Sequence, residues 1–473
     1  MTNSTFFWHD YETFGIDPQR DRASQFAGIR TDQDFNVIDE PVMLYCQIAD
    51  DYLPQPEACL ITGITPQLAT EKGVCEAEFI RIIHHQLSQP GTCGLGYNSL
   101  RFDDEVTRNL LYRNFYDPYG REFQNNNSRW DLIDVVRATY ALRPDGINWP
   151  LNDEGVATFR LELLTQANDI SHQAAHDALS DVYATIAMAR LVKQRQPKLY
   201  EFLYQNRYKH TATNLLDVGS FKPVVHISGR FAAKNHCLAI VLPLCEHPLR
   251  KTEIVVYDLS VDPAPLLELS AEEIQQRVFT ATADLADGVE RIPLKTIHIN
   301  KYPVIAPYNV IRLADAERLN LDLANCQRNL QTIQAQAAGL NSKLAQVFGR
   351  EYGDGSQDPD LMIYSGGFFT PKDKATMTKI RQTTPEKLGD FKADFVDGRL
   401  QEMLFRYRGR NYPNTLNSDE LQQWRQFCRQ RLDANTLDSY QTKLVELQTS
   451  YGNDHPILNQ LREFAQNKQN ALV

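Results

Sequence analysis

The sequence predicts an α/β N-terminal domain, then a small β domain, then a mostly α-helical C-terminal domain. Three observations predict this. Residues 5–195 alternate strand-like apolar runs with amphipathic helical ones. Residues 200–350 hold short β-rich runs separated by turn residues. Beyond a polar, glycine-bearing linker over 351–359, residues 371–473 read as helix. A chain of 473 residues is too long for one ordinary core. The domains are placed at 1–196, 197–350 and 355–473.

Phe6, Phe7 and Trp8 form an aromatic run, read as a buried strand ending at Asp10. Strands near 27–30 and 42–46 suit a mixed sheet flanked by helices. Another strand ends at Tyr97 and Asn98. Asp103, Asp104 and Glu105 open a helix to about Phe115, with Val106, Leu110 and Leu111 on its apolar side. A helix from about Ala174 to Lys193 buries Val182, Ile186, Ala189 and Val192, and Pro197 marks the boundary after it. In the second domain, strands are expected over 223–227, 238–242, 253–257 and 297–300, and helix over 314–350. The third carries amphipathic helices over 421–432 and 440–451, and its tail from Phe464 is expected to fray.

With 42% hydrophobic and 23% charged residues, the composition is that of a folded globular protein. The eight cysteines lack zinc-ligand spacing and read as reduced packing residues. The longest apolar run, 237–245, is too short to span a bilayer, and the N-terminus reaches Asp10 without a basic and hydrophobic signal. A cytoplasmic protein with no membrane contact is expected. The net charge of −11 argues against a broadly basic nucleic-acid surface. Residues 1–200 carry essentially all of that excess, so any nucleic-acid contact must use local basic tracks. Those are Arg207, Lys209, Lys222, Arg230 and Lys234, and then Arg406, Arg408 and Arg410. Phe405, Tyr407 and Tyr412 interleave the last three. They read as a stacking groove or, slightly better, as core rings beside arginines in water, with at least one arginine open to pairing with an acid instead of phosphate.

Four acids and one histidine carry the chemistry. Asp10 and Glu12 stand in FFWHDYETFG, Asp103 in GYNSLRFDDE, and His176 with Asp181 in AHDALSDVYATIAM. Residues i and i+2 of an extended chain share a face, so Asp10 and Glu12 can share one cation. Asp103 falls in a first helical turn, where an acid also serves as an ordinary cap. His176 converges with Asp181 more easily from a loop, because five helical residues separate two side chains by about 140°. Singly, each motif is better explained by a solvated turn or a cap. Together they supply the carboxylate oxygens and the proton acceptor for metal-assisted phosphodiester hydrolysis.

This order resembles the three exonuclease motifs of the DEDD superfamily, in its histidine branch, over about residues 5–195. NRYKH, KPVVHISG, HINKYPV and LFRYRGRNYPNTL, with FRLELLTQANDI and YNSLRFDDEVTRN, are similar to bacterial exonuclease I, and the similarity runs essentially end to end. The resemblance implies a ribonuclease-H-like nuclease domain, an SH3-like β domain with inserted helices, and a helical C-terminal domain, the last two arching over the first to enclose a strand. It implies a monomeric, processive 3′→5′ exonuclease of single-stranded DNA that releases 5′-mononucleotides in repair and recombination.

The implied site has two Mg²⁺ ions, or Mn²⁺, ~3.5–4 Å apart. Asp10, Glu12 and Asp181 hold one, and Asp10, with Asp103 through water, positions the second. His176 is the implied general base, its unperturbed pKa of about 6.5 suiting the task. Glu12 and Arg160 are implied substrate contacts, with a salt bridge from Arg160 to Glu162 or Glu154 as the alternative. Asn98 and Phe102 shape the terminal-nucleotide pocket, although Phe102 also suits a core. Arg108 and Arg113 either touch the strand or lie on a solvated face. The family also binds the acidic C-terminal tail of the single-stranded-DNA-binding protein, for which Arg312 with Lys222 nearby is the expected site. Rival readings are a 3′ exoribonuclease, a proofreading exonuclease, and a noncatalytic clamp on 3′ ends.

Overall fold

The computed structural model describes residues 4–172, 177–350 and 355–472. They form two compact units, one of residues 4–129, 172, 177–186 and 355–472, the other of 130–171 and 187–350. These units cut across the linear domain order, because C-terminal helical residues share a unit with the first sheet.

That sheet has the order β3-β2-β1-β4-β5. Its strands are β1 (Thr5–Thr13), β2 (Ala23–Thr31), β3 (Val42–Tyr45), β4 (Thr92–Gly96) and β5 (Ser128–Asp131). β1 pairs antiparallel with β2 and parallel with β4, which makes it central. It does not end at Asp10. Its ladder with β2 continues through Glu12 opposite Gln25 before the register shifts, so both acids lie inside the strand. Phe7, Tyr11 and Phe26 on one face pack against Phe79, Ile80 and Ile83, and against Val106, Leu110 and Leu111 of helix α1 (Asp103–Arg113). Each such side chain contributes roughly 1.5–3 kcal/mol on burial. Helix α2 is described from Ala178 to Arg195.

The far side of α1 is covered by C-terminal residues. Tyr112 and Phe115 join Ile363, Met377, Ile380 and the Leu400, Met403 and Tyr407 side chains of helix α3 (Arg399–Asn411). The tail does not fray at Phe464. A helix runs over Pro456–Leu472, because Leu458, Leu461 and Ala465 are fully buried, the two leucines beside Phe14, Cys59 and Leu444.

The second unit holds an antiparallel sheet of order β10-β6-β7-β8-β9. Its strands are β6 (Val224–Ile227), β7 (Leu238–Glu246), β8 (Glu253–Asp258), β9 (Leu294–His298) and β10 (Val304–Pro307). β10 has no counterpart in the sequence reading. It is short, follows Pro303, includes Pro307 as its last residue, and sits at a sheet edge, where proline is tolerated. Helices Leu323–Ala335 and Leu340–Val347 close over Leu242, Val255 and Tyr257. Among the described residues, no helix is long and apolar enough to cross a membrane.

A buried ionic network ties the first unit together and corrects the expectation for the arginine-rich helix. Arg410 binds Asp51 at 3.0 Å and also Asp360. Arg406 pairs with Asp358, Asp360 and Glu402, and Arg408 with Glu420. The side chains of all three are buried, so they line no solvent-facing track, while the Tyr407 ring sits in the core. Glu76 receives Arg113 at 3.0 Å and Arg22 at 3.8 Å. Burial alone would raise the Glu76 carboxyl, but Arg113 and Arg22 outweigh it and hold it at about 2 against an ordinary 4.5. Asp51 and Asp360 are likewise held well below the usual carboxylate range, the arginines overcoming burial.

A depressed carboxyl contributes stability that is present above its unfolded value and lost as pH falls through its folded one. Thermal unfolding followed by circular dichroism is therefore expected to show a melting temperature that drops as pH falls from 4.5 towards 2. Glu76→Gln is expected to flatten that slope. At neutral pH it is expected to cost about 3 kcal/mol, by leaving Arg113 and Arg22 buried with one charge partner fewer.

Candidate active site

Asp10 and Glu12 share a face of the central strand, and Asp181 reaches them from α2. One carboxylate oxygen from each lies within 4.8 Å of the others. The alignment of α2 follows from the residue opposite Glu12: Gln25 on β2 accepts the Ala178 N–H through its side-chain oxygen at 3.2 Å, three residues before Asp181. Asp177 accepts the Ser180 N–H at 3.1 Å and so caps the start of that helix.

Asp103 comes by a different route. β4 ends at Gly96, where a side chain would stand 2.5 Å from the His9 carbonyl. Only glycine lets β4 come this close to the strand that carries Asp10. Asn98 then takes a left-handed conformation, φ 65°, which asparagine tolerates, and turns the chain into α1. Asp103 does not act as a side-chain cap; Phe102 occupies the cap position. Instead, the Asp103 carboxylate accepts the Tyr11 N–H at 3.0 Å, between the two acids of β1. The Tyr11 phenol oxygen in turn accepts the Thr107 hydroxyl at 3.0 Å.

Burial raises the Asp10 carboxyl well above its ordinary value, reinforced by Asp103, Glu12, Asp181 and Asp177. Burial, with Asp181, Asp103 and Asp177, pushes Glu12 up to about 8. Hard carboxylate oxygens this close, whose mutual repulsion favours protonation, suit a divalent cation. Asp10, Glu12 and Asp181 could hold it directly.

The sequence-predicted residues divide clearly. Asp10, Glu12 and Asp181 converge, and Asp103 is fixed beside them. His176 lies outside the described residues. Asn98 and Phe102 sit on the turn ahead of α1, and Phe102 packs against the core beneath. Arg108 is not a free phosphate ligand: only 6% exposed, it is bound to both Glu122 oxygens and to Glu105. Arg113 is buried on Glu76 rather than on a solvated face. Arg160 belongs to the second unit, where it pairs with Glu162 at 2.7 Å and keeps a side chain 69% exposed. Arg207 is buried against the Tyr204 and Tyr208 rings, whereas Lys209, Lys222, Arg230 and Lys234 are exposed. Two residues near the centre escaped sequence reasoning: Asp177, and His172, whose ring contacts the Asp181 carboxylate. Asp177 lies within AHDALSD and His172 three residues before it, and that placement was their only signal.

In the second unit, a cleft of about 500 Å³ is lined by Arg143, Lys198, Leu199, Phe202, Pro307 and Val310 among others. Arg312 follows Val310 by two residues, pairs with Asp315 at 2.6 Å, and lies close enough to influence the charge of Arg143. Lys222 is not among the residues that line the cleft.

Three family models match in succession: Exonuclease over residues 7–189, Exonuclease I SH3-like domain over 207–350, and Exonuclease I C-terminal domain over 357–468. The chain belongs to the exonuclease I family. It is 49% identical to exodeoxyribonuclease I of Escherichia coli K12, covering 95% of this chain and 94% of that protein. A zinc-bound complex of E. coli exonuclease I with single-stranded DNA superposes with a TM-score of 0.95 at 47% identity, covering 99% of this chain and 100% of that one. A solved complex of SSB and exonuclease I with an inhibitor gives 0.91 at 46% identity, with coverage of 99% and 100%. The fold is therefore the exonuclease I arrangement of a ribonuclease-H-like nuclease domain, an SH3-like domain and a C-terminal helical domain, and the protein is an exodeoxyribonuclease.

A carboxyl raised on folding binds its proton in the folded state where the unfolded chain has released it. The metal-free protein is therefore expected to lose stability as pH rises from 4.5 through about 8. Added Mg²⁺ relieves this repulsion. Its effect on the melting temperature is expected to be larger at pH 8 than at pH 5, and calorimetry in two buffers is expected to show protons released on binding. Glu12→Gln is expected to flatten the metal-free pH slope.

Proposed function

We propose that this chain degrades single-stranded DNA processively from the 3′ end, releasing 5′-mononucleotides, with two Mg²⁺ ions at the Asp10, Glu12, Asp103 and Asp181 carboxylates. The convergence of the Asp10, Glu12 and Asp181 oxygens within 4.8 Å carries the reading. When bound, the ions lower the pKa of the attacking water and neutralise charge at the leaving 3′-oxygen. Asp10, Glu12 and Asp181 hold the first, and Asp10 with Asp103 orients the second. His176, five residues before Asp181, takes the proton of the attacking water. Asn98 and Phe102 border the terminal nucleotide. Glu12 and Arg160 contact the substrate, the arginine exchanging Glu162 for phosphate, for which a guanidinium fork is suited. Domains 1–196, 197–350 and 355–473 divide the work: chemistry in the first, retention of the strand in the others. The family ranges 7–189, 207–350 and 357–468 support that division. On this reading the protein works as a monomer in the cytoplasm, in DNA repair and recombination.

Asp10→Ala and Asp181→Ala are expected to abolish nucleotide release from end-labelled single strands while the fold persists. His176→Ala is expected to lose about 10²–10⁴-fold in rate with metal affinity retained by calorimetric titration. A collapse of metal affinity in His176→Ala would make that residue a ligand and move the base elsewhere. Duplex DNA and RNA bearing the same label test the substrate class, and the noncatalytic-clamp reading fails if metal-dependent release is seen.

The partner is the acidic tail of SSB, the single-stranded-DNA-binding protein. An acidic peptide with an apolar end needs cations beside an apolar recess, and the cleft of Phe202, Pro307 and Val310 next to Arg143 and Arg312 supplies both. Reversal of Arg312 to Glu is expected to weaken binding of a tail peptide and slow digestion of SSB-coated DNA, with naked-strand digestion unchanged. A Lys222→Glu control is expected to have the smaller effect, because Lys222 is not part of the cleft lining. Undiminished peptide affinity in the Lys222/Arg312 double reversal would place the tail elsewhere.

A further inference from the structure

Three consecutive acids open α1, and each is held by a different element. Asp103 accepts the Tyr11 N–H of β1. Asp104 receives Arg121 at 2.6 Å and Arg129, from β5, at 2.8 Å. Glu105 receives Arg108 at 2.7 Å and the hydroxyl of Tyr364, whose oxygen also accepts Arg108 at 3.3 Å. Successive helical residues point about 100° apart, so the three attachments grip the first turn from three directions and oppose its rotation as well as its sliding. Two of these anchors belong to the nuclease segment. The third, Tyr364, comes from the C-terminal domain. That domain also grips the far end of α1: Arg399 donates to the Tyr112 hydroxyl at 3.2 Å, Phe369 stacks on the Tyr112 ring at 5.8 Å, and Tyr407 meets Phe115 edge-on.

We propose that Tyr364 is a positioning residue for the nuclease reaction, acting through Glu105 and Arg108 to set the first turn of α1 and hence the Asp103 carboxylate. The C-terminal domain is on this view part of the catalytic scaffold as well as a means of retaining DNA. Catalytic groups must be held to about 0.5 Å, and the Tyr11 N–H that ties Asp103 to β1 fixes its distance from Asp10 only as well as the first turn of α1 is itself held. The proposal rests on the reading of Asp103 as part of the metal site. It also gives the burial of Arg108 a purpose: the guanidinium links Glu122, Glu105 and Tyr364 in one strut.

Tyr364→Phe removes one hydroxyl and keeps the ring. The variant and the parent are compared on a long single strand and on a trinucleotide too short to reach beyond the active site, with kcat, KM and the Mg²⁺ concentration for half-maximal rate measured on each. Positioning predicts a loss of about 10-fold in kcat or in Mg²⁺ response, the size typical when a support behind a metal ligand is removed. The loss is expected to be equal on both substrates, with KM on the long strand and the melting temperature unchanged. A defect confined to KM on the long strand would make the half-exposed Tyr364 ring a DNA contact and overturn the proposal. Parental behaviour on both substrates would also overturn it. Asp103→Asn separates the two levels. If it abolishes the Mg²⁺ response while Tyr364→Phe behaves as the parent, only the strut falls. If Asp103→Asn keeps a normal Mg²⁺ response, the reading of Asp103 falls and the strut with it.

Discussion

Carboxylates crowded together in a half-buried place repel one another, and the first unit is organised around holding them there. At about 4 Å and an effective dielectric of 20, each pair of full charges opposes its neighbour by about 4 kcal/mol. A flexible scaffold would relieve that repulsion by moving apart. Here Asp10 and Glu12 are built into the central strand of a sheet, paired with Ala27 and Gln25 of β2, and the opposite face of that strand is buried through Phe7, Tyr11 and Phe26. Asp181 is tied back to the same sheet through Gln25 and Ala178, and Asp103 through the Tyr11 amide. So held, the Asp10, Glu12 and Asp181 oxygens stay within 4.8 Å of one another instead of relaxing apart.

The same logic explains where the arginines went. The side chains of Arg22, Arg108, Arg113, Arg121, Arg129, Arg406, Arg408 and Arg410 are all buried and paired with carboxylates. A buried charge left alone is expensive, and a guanidinium with several acid partners is the residue best able to make such a site neutral. Among them, Arg410–Asp51 fastens a C-terminal helix to the N-terminal segment, and Arg121 and Arg129 on Asp104 fasten β5 and its approach to α1. A chain with net charge −11 thus places many of its cations inside the protein, while Lys209, Arg230 and Lys234 stay exposed to solvent.

Much of the architecture was legible in the residues. The aromatic run of β1, the acids opening α1, the β-rich runs of the second domain and the amphipathic helices of the third all sit where their local patterns indicated. The errors share a cause. β1 was read as ending at Asp10 because its acidic residues look like a turn, yet cross-strand hydrogen bonds with β2 carry it to Thr13. β10 was hidden because Pro303 precedes this four-residue edge strand and Pro307 ends it. The tail helix was expected to fray because terminal position was the only local guide, and its buried leucines meet partners near residues 14, 59 and 64.

What the sequence determined alone is the set of chemical groups: an Asp-x-Glu pair on an extended strand, an acid at a helix start, and a histidine five residues before a last aspartate. Side-chain alternation along a strand is a local property, so the shared face of Asp10 and Glu12 could be read directly. What the tertiary structure decided is which charges face solvent and which face each other. Arg410 and Asp51 are 359 residues apart and Arg108 and Tyr364 are 256 apart, and at such separations nothing local distinguishes a cation meant for phosphate from one already neutralised. Whether an arginine reaches DNA or an aspartate is settled only when distant segments pack, because the free energy of a buried ion pair exists only once both partners have left water together.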